Sequence, residues 1–136
     1  MAAELTEHIR ERLEAPNFWH LATVNPDGSP QSTTVWAHTR GDRILINSAL
    51  GRKKPRNIER EPRVALSWHG HADNGGYETI AIQGRIVETI VGDQAEADID
   101  SLAKKYIGED RYPWRSPGEQ RVTFLVEPTH VFHFGR

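Results

Sequence analysis

The first apolar residues of the chain recur every four positions between charged neighbours. Leu5, Ile9 and Leu13 follow this spacing in the segment MAAELTEHIRERLEA. A period close to that of the α-helix places these side chains on one helical face, and Pro16 cannot continue the helix. The pattern predicts a short amphipathic helix that ends before Pro16 and covers one end of a sheet.

Two runs rich in β-branched and aromatic residues follow, separated by a turn. They are FWHLATVN at residues 18–25 and SPQSTTVWAHT at residues 29–39, on either side of the turn PDG. Gly28 can adopt a positive φ there, so the pattern predicts a β-hairpin. A second turn at residues 40–42 leads into RILINS, and we expect the three consecutive strands to form an antiparallel meander.

Two prolines limit the helix that comes next. Pro55 stands where a helix can start and Pro62 where it must have ended, which leaves room for little more than two turns. RVALSWH at residues 63–69 and YETIAIQGRIVETI at residues 77–90 then predict two further strands, with the loop GHADNGG between them. We expect Gly84 to bulge or kink the longer strand, as suits a closing barrel.

A longer helix and the last strands complete the pattern. Asp93 and Glu96 have the spacing of a capping box, apolar residues follow at helical spacing, and Gly108 ends the run. QRVTFLVE and HVFHF predict two closing strands separated by Pro128. Six or seven antiparallel strands with few helices favour a mainly β fold, a small barrel that forms a single domain over residues 1–136.

Composition bounds the class of protein. The chain has 136 residues, enough for one domain with its own core. It contains no cysteine, which excludes thiolate nucleophiles, cysteine-based zinc sites, iron–sulfur clusters and disulfides. The N-terminal segment lacks the apolar core of a signal peptide, and no run approaches the ~20 apolar residues of a membrane helix. We therefore expect a cytoplasmic protein with no membrane partner.

Positive charge is concentrated in GRKKPRNIEREPRVAL, residues 51–66. This basic segment has six basic and two acidic residues, whereas the whole chain has a formal net charge of −2. Basic side chains beside the free N–H groups of a helix start make a phosphate site, and the preceding strand brings Asn47 and Ser48 to the same rim. The alternative is that the cations only solvate a short helix. The acidic balance of the whole chain argues against a nucleic-acid partner.

The sequence shows no motif of the common hydrolases or kinases and no specific metal-binding pattern. No Walker-type glycine loop, paired-carboxylate signature or nucleophile elbow occurs in the sequence. His69 and His71 in WHGH, and also His130 and His133, offer imidazoles at spacings of low specificity for metals. A histidine pair beside a glycine loop is more often an ordinary surface pair. The sequence therefore predicts no metal site, and it selects no catalytic acid or base.

The order of these pieces resembles a known family. Its most specific parts are the hairpin LATVNPDGSP and the loop GRKKPRN with its trailing EPRVAL. Together they resemble the flavin-binding split-barrel superfamily, also called pyridoxamine 5′-phosphate oxidase-like, over residues 18–134. More narrowly, the chain is similar to small actinobacterial oxidoreductases that use the deazaflavin coenzyme F-420. The resemblance implies a six- to seven-stranded antiparallel split β-barrel and a homodimer with cofactor sites at the subunit interface.

The resemblance also implies cofactor-binding positions. Arg52 and Lys54 match the basic side chains that hold the cofactor phosphate, and Asn57 matches the helix residue that braces their loop. Tyr77 lies where the family often places a contact from the partner subunit. The positions implied along the ring system, and at the strand end near phosphate and ring, are Gln31, Thr34, Val35, Trp36, Asn47 and Ser48.

Three further residues have a different interpretation. Lys53 and Arg56 belong to the basic segment, but we interpret them as side chains that solvate the helix. Trp114 in RYPW can pack near the cofactor across the dimer or anchor the subunit interface, and we favour the second role. None of the three is counted among the predicted cofactor contacts.

The implied activity is hydride transfer from the reduced deazaflavin to an electron-poor double bond of a small molecule, with orientation and electrostatics supplied by the protein. A deazaflavin with a phosphodiester and an anionic oligoglutamyl tail suits the basic segment. An FMN-dependent oxidoreductase is the alternative, and a non-enzymatic carrier of cofactor, haem or lipid is a third. The chain stops at HVFHFGR, without the C-terminal substrate segment of true pyridoxamine phosphate oxidases, so we do not expect that oxidase activity.

Overall fold

The computed structural model describes residues 2–135, and within them the fold is mainly β. The helices are α1 (Glu7–Glu14), α2 (Lys53–Arg60) and α3 (Asp93–Ile107). The strands are β1 (Trp19–Val24), β2 (Pro30–Val35), β3 (His38–Arg40), β4 (Arg43–Ala49), β5 (Arg63–His71), β6 (Tyr77–Val91) and β7 (Arg121–Gly135). They form one antiparallel seven-stranded sheet in the order β2-β1-β5-β6-β7-β4-β3. The predicted fold class is confirmed.

The first helix forms as its spacing predicts. The Oγ1 of Thr6 accepts a hydrogen bond from the backbone N–H of Ile9 at 3.3 Å, which caps the N-terminus of α1. Ile9 and Leu13 are buried in the main core, together with Leu5 just before the helix. The helix ends at Glu14, before Pro16. Helix α1 therefore closes the barrel by its apolar face.

The predicted meander is wrong beyond its first hairpin. Strands β1 and β2 do pair, but β1 takes β5 as its other neighbour, and β4 pairs with β3 and β7. The apolar side chains of β4 explain this choice, because Ile44 lies opposite Val126 and Ile46 opposite Phe124. Strand β2 offers alternating exposed residues and cannot supply such a partner. A distant strand therefore replaces the sequence neighbour.

A register irregularity occurs at Gly84, but its extra residue is Thr129 of β7, and the extra residue of β6 itself is Val87. Strand β7 also corrects the prediction of two closing strands. The register of β6 against β7 shifts between Gln83 and Gly84, where Gly84 lies opposite Pro128. Pro128 has no N–H to donate, and a position beside a bulge tolerates that loss. Residues 121–135 therefore form one continuous strand.

Gly84 is expected to tolerate no side chain. A Cβ added there would lie 2.6 Å from the carbonyl oxygen of Glu127 and 2.7 Å from Cγ1 of Val126. We expect Gly84→Ala to lower the free energy of unfolding by about 1–3 kcal/mol, because a backbone atom must move to make room. Urea denaturation measures the loss. The matched control is Ala at the exposed neighbour Gln83, and equal stability of the two variants would contradict the steric argument.

Helix α3 ends where predicted, whereas α2 starts at Lys53, two residues before Pro55, and one predicted cap does not form. Helix α2 spans about two turns before Pro62, and Gly108 ends α3 with a φ of 74°. The capping box does not form, because Gly92 is the N-cap residue of α3 and offers no side chain. The carboxylate of Glu96 instead accepts hydrogen bonds from Arg115 and from the backbone N–H of Arg121. Glu96 therefore links α3 to the start of β7.

A second, smaller apolar cluster lies on the outer side of β4 and β7. Leu45 and Leu125 contribute one side chain from each strand, and Ile99 and Leu102 of α3 pack on them. This packing fixes α3 beside the end of β4 and the start of β7, where polar side chains gather. None of the described helices is long and apolar enough to cross a membrane.

Candidate functional site

A cleft opens where the end of β4, the start of α2, helix α3 and the start of β7 meet. Its volume is about 150 Å³. The residues that line it are Thr34, Val35, Trp36, Asn47, Lys54, Ile99, Leu102, Tyr112, Trp114 and Arg121. The predicted cofactor positions among them are Thr34, Val35, Trp36, Asn47 and Lys54, which come from three separate segments of the chain. The fold thus brings these predicted residues together.

Asn47 organises the floor of the cleft. Its Nδ2 donates to the carbonyl oxygen of Ala95 at 3.0 Å and to Oγ1 of Thr123 at 2.9 Å. Its Oδ1 accepts a hydrogen bond from Nε of Arg121 at 3.0 Å. The side chain therefore ties β4 to α3 and β7, and it holds the guanidinium of Arg121 in one orientation.

Arg121 is a cleft residue that sequence reasoning missed. Only 3% of its surface is exposed, its Nη1 donates to Oε2 of Glu119 at 3.0 Å, and its guanidinium lies 4.9 Å from the ring centre of Tyr112. Arg121 stands outside the basic segment, at the start of a strand. Its one sequence signal is a cation at the head of an otherwise apolar run, RVTFLV, where a charge is costly unless it is paired.

Lys54 lies beside two arginines. Burial lowers the pKa of Lys54 below its ordinary value, and the positive charges of Arg52 and Arg121 lower it further. Arg52 donates from Nη2 to Oε1 of Glu119 at 3.1 Å, so both arginines share that one carboxylate. Among the described residues, no hydrogen bond or ion pair reaches the ammonium of Lys54. The site therefore has more positive charge than its own carboxylate neutralises.

Aromatic rings form one wall of the cleft. Trp36 stacks on Tyr106 with ring centres 5.2 Å apart and meets Tyr112 edge-on at 6.0 Å. Trp114 packs edge-on against Tyr112 at 5.7 Å and stays largely exposed. It thus lies at the cleft of its own chain, while its interpretation as an interface anchor stays a prediction. The wall offers flat apolar surface beside the cations.

The segment that carries Tyr112 and Trp114 is fixed to α3. The backbone N–H of Tyr112 donates to Oδ1 of Asp100 at 2.8 Å, and Arg115 donates to the same oxygen at 3.0 Å. Arg115 also donates from Nε to Oε1 of Glu96 at 3.1 Å. These charged contacts hold the aromatic wall in place relative to the floor of the cleft.

Asn57 and Gln31 meet away from the cleft, between α2 and the β1–β2 hairpin. The buried Nδ2 of Asn57 donates to Oγ1 of Thr23 at 3.1 Å and to Oδ1 of Asn25 at 3.0 Å. Oε1 of Gln31 accepts from Oγ1 of Thr23 at 3.0 Å. Asn57 therefore braces the helix that carries Lys54, while its role beside a cofactor stays a prediction. Gln31 contacts this brace and is not among the residues that line the cleft.

Three other predicted residues also lie outside the cleft lining. Arg52 reaches its rim through Glu119. Ser48 is buried and faces the barrel core, on the side of β4 that carries Ile46. Tyr77 begins β6, is largely exposed, and packs on His69 with ring centres 6.4 Å apart. The roles of these residues at a cofactor stay predictions.

Comparisons with known proteins agree with this architecture. The family model described as pyridoxamine 5′-phosphate oxidase matches residues 5–134. A solved F420 reductase is 30% identical with a TM-score of 0.76, over 94% of this chain and 98% of that one. A solved FAD-binding protein of Mesorhizobium loti shares the fold at 18% identity and a TM-score of 0.66, over 100% and 99% of the two chains.

A curated relative matches over a shorter segment. A pyridoxine/pyridoxamine 5′-phosphate oxidase of Rubrobacter xylanophilus is 39% identical over 64 residues, which are 46% of this chain and 30% of that relative. The match thus spans less than a third of the relative's length. With the family match over nearly the whole chain, these similarities define the class: the chain belongs to the pyridoxamine 5′-phosphate oxidase family of flavin-binding split barrels.

Proposed function

We propose that the protein is an oxidoreductase that binds the deazaflavin coenzyme F-420 and transfers hydride to an unsaturated small molecule. The observation that carries this proposal is the excess of cations at the cleft, where Lys54 lies beside Arg52 and Arg121 and, among residues 2–135, Glu119 is the carboxylate that pairs with both guanidinium groups. An anion with several charges would relieve this repulsion. The 30% identity to an F420 reductase over nearly the full length of both chains supports the same cofactor.

The residues of the cleft suit the anionic part of such a cofactor. The ammonium of Lys54 and the guanidinium of Arg52 are donors for a phosphodiester, and the exposed cations of α2 can meet an acidic tail. Trp36 and Tyr112 offer flat surface for a ring. The bound cofactor would supply the hydride. The residues of this chain would hold the phosphate and orient the ring, and none is assigned as an acid or base.

The cleft of one chain is too small to enclose a whole cofactor. Cofactor pockets usually enclose roughly 300–1,000 Å³, whereas the cleft of one chain encloses about 150 Å³. One chain therefore covers only part of a deazaflavin. We propose a homodimer in which the partner subunit completes the site. We also propose the cytoplasm as its compartment, on the sequence alone.

Exposed aromatic residues on β6 and β7 support the proposed homodimer. Phe132 and Phe134 are 58% and 60% exposed, and Tyr77 is exposed beside them. Such side chains are enriched at the centre of protein interfaces. Light scattering after gel filtration measures the mass of the native protein and of Phe132→Asp. A dimer that becomes a monomer in the variant supports the proposal, and a native monomer refutes it.

A cofactor titration tests the proposed function. The purified protein is titrated with oxidised F-420 and with FMN while fluorescence is followed, and reduced cofactor is then offered with a panel of quinones and enones. We expect F-420 to bind more tightly and to be oxidised by at least one substrate class. Tight FMN binding without F-420 binding would favour the FMN-dependent alternative, and binding without turnover would favour a carrier.

Anion affinity is expected to fall as the pH rises. The pKa of Lys54 in the free protein is lowered by burial and by Arg52 and Arg121, and a bound anion would raise it again. Binding therefore takes up a proton once the pH exceeds the pKa of the free protein, and affinity declines from there. Calorimetric titration with sulfate, whose charge is constant between pH 7 and pH 10, measures this. Lys54→Gln should remove the slope, and an unchanged slope would contradict the role of Lys54.

A further inference from the structure

Glu78 is a buried carboxylate far from the cleft. It is the second residue of β6, and it is only 1% exposed. Strand β7 passes it near its C-terminal end, opposite to the end that carries Arg121. The hydride-transfer proposal assigns no role to this group. A buried carboxylate needs a strong compensating partner, so its surroundings indicate what it does.

Two imidazoles from different elements face the same oxygen of Glu78. His8 of α1 contacts Oε2 through Nε2, and His133 of β7 contacts the same atom through Nε2 at 2.7 Å. The two rings lie with centres 5.0 Å apart, and each side chain is 36% exposed. The three candidate ligand atoms all lie within 4.8 Å of one another.

The other oxygen of Glu78 is already paired. Arg12 donates from Nε to Oε1 at 2.8 Å, and its Nη2 reaches Oδ1 of the exposed Asp73 at 3.1 Å. Arg12 thus takes one oxygen of the carboxylate, and Oε2 is left to the two imidazoles. The carboxylates of Glu78 and Asp73 carry two negative charges, and the guanidinium of Arg12 carries one positive charge. The net charge of these three groups is therefore −1. A divalent cation at Oε2 would meet an environment of suitable sign.

We propose that His8, Glu78 and His133 form a binding site for a divalent transition metal ion of the zinc class. Two imidazoles and one carboxylate are a ligand set that suits Zn²⁺ and related ions, with further coordination positions left open. Spacing along the sequence does not reveal it, because His8 and Glu78 are 70 positions apart. The ion would join α1 to β6 and β7, at a place separate from the proposed cofactor site.

Only small movements are needed to admit the ion. Ligand atoms at a tetrahedral zinc lie about 3.3 Å apart, given Zn–N and Zn–O bonds of about 2.0–2.2 Å. The Nε2 of His133 must therefore move out from its present 2.7 Å to Oε2, while the most widely separated ligand atoms, within 4.8 Å, draw together. Both imidazoles are partly exposed and can rotate, whereas the carboxylate stays fixed by Arg12.

Metal titration tests the site. Tag-free protein is stripped with a chelator and titrated with Zn²⁺ against a chromophoric competitor, and Co²⁺ is added in parallel to record its visible spectrum. We expect one saturable equivalent and the intense absorption of a low-coordinate Co²⁺ site. His8→Ala and His133→Ala should each weaken Zn²⁺ binding at least tenfold. His130→Ala, on the exposed part of the same strand, is the matched control and should bind as the native protein does.

Two further readouts distinguish this site from Zn²⁺ bound elsewhere on the protein. Zn²⁺ should raise the melting temperature of the native protein and of Lys54→Ala, but not that of His8→Ala, because the ion binds only the folded site. Lys54→Ala keeps the two proposals independent, since it alters only the cofactor site. No saturable Zn²⁺ binding, or an equal loss in His130→Ala, would overturn the proposal. Circular dichroism of each variant checks that it is folded.

Discussion

Lys54→Ala is expected to weaken binding of F-420 by about 1.5–3 kcal/mol, the range of a charge-assisted hydrogen bond to phosphate. The ammonium lies near Arg52 and Arg121 and has no anionic partner among residues 2–135. Its removal therefore takes one direct contact away from the complex, whereas it changes the stability of the free protein little. Fluorescence titration at fixed ionic strength measures the change in dissociation constant.

The control for this variant is its neighbour on the same helix. Lys53 is exposed, so any contact that it makes with an acidic tail is screened by solvent and weak, and Lys53→Ala changes the net charge by the same amount without removing the proposed contact to the phosphodiester. We expect Lys53→Ala to change the affinity only slightly, and Lys54→Arg to recover much of it. If both alanine variants weaken binding equally, the cofactor senses only the overall charge of the basic segment, and the specific role of Lys54 is wrong.

The largest stability effect is expected at Glu78. Burial acts to raise the pKa of Glu78, but the hydrogen bonds from His8, His133 and Arg12 outweigh it and lower the pKa to about 2. Glu78→Ala leaves these donors around an empty space, and loss of one partner from a buried ion pair costs about 3–5 kcal/mol. Urea denaturation of chelator-treated protein at pH 7 measures the loss.

An exposed carboxylate of the same network is the control. Asp73 also pairs with Arg12, at 3.1 Å, but its side chain is exposed, and such pairs contribute about 0–1 kcal/mol. Asp73→Ala should therefore keep nearly native stability. The lowered pKa gives a second readout, because the stabilisation from ionised Glu78 is complete above pH 4.5 and is lost as the pH falls towards 2. Equal stability of the two variants would contradict the buried network.

The sequence predicted those parts of the fold that depend on local chemistry. Helix α1 and the first hairpin follow from apolar period and turn residues. A register shift was expected at Gly84 and occurs there, although its extra residue lies in β7. The strand neighbours were not predictable in this way. The pairing of β4 with β7 joins residues about eighty positions apart, and it is decided by which apolar faces fit together. Local signals carry no information about that fit.

The same limit applies to the cleft. The charges of the basic segment are adjacent in sequence, so the sequence alone predicts Lys54 as a phosphate contact. Arg121 and Glu119 were missed because each is a single charged residue far from that segment, and only the pairing of β4 with β7 brings them to Asn47. A site assembled by long-range pairing can be inferred from one sequence only where one of its parts is a local cluster.

The brace formed by Asn57 bears on how this scaffold can be redesigned. Asn57 holds α2 through Thr23 and Asn25, and neither of these hydrogen bonds involves the exposed side chains of Lys53 and Arg56. Positions such as Lys53 and Arg56 can therefore be exchanged while the helix keeps its orientation. Libraries restricted to these positions offer a route to alter cofactor preference, from a long acidic tail to a short phosphate, without rebuilding the barrel.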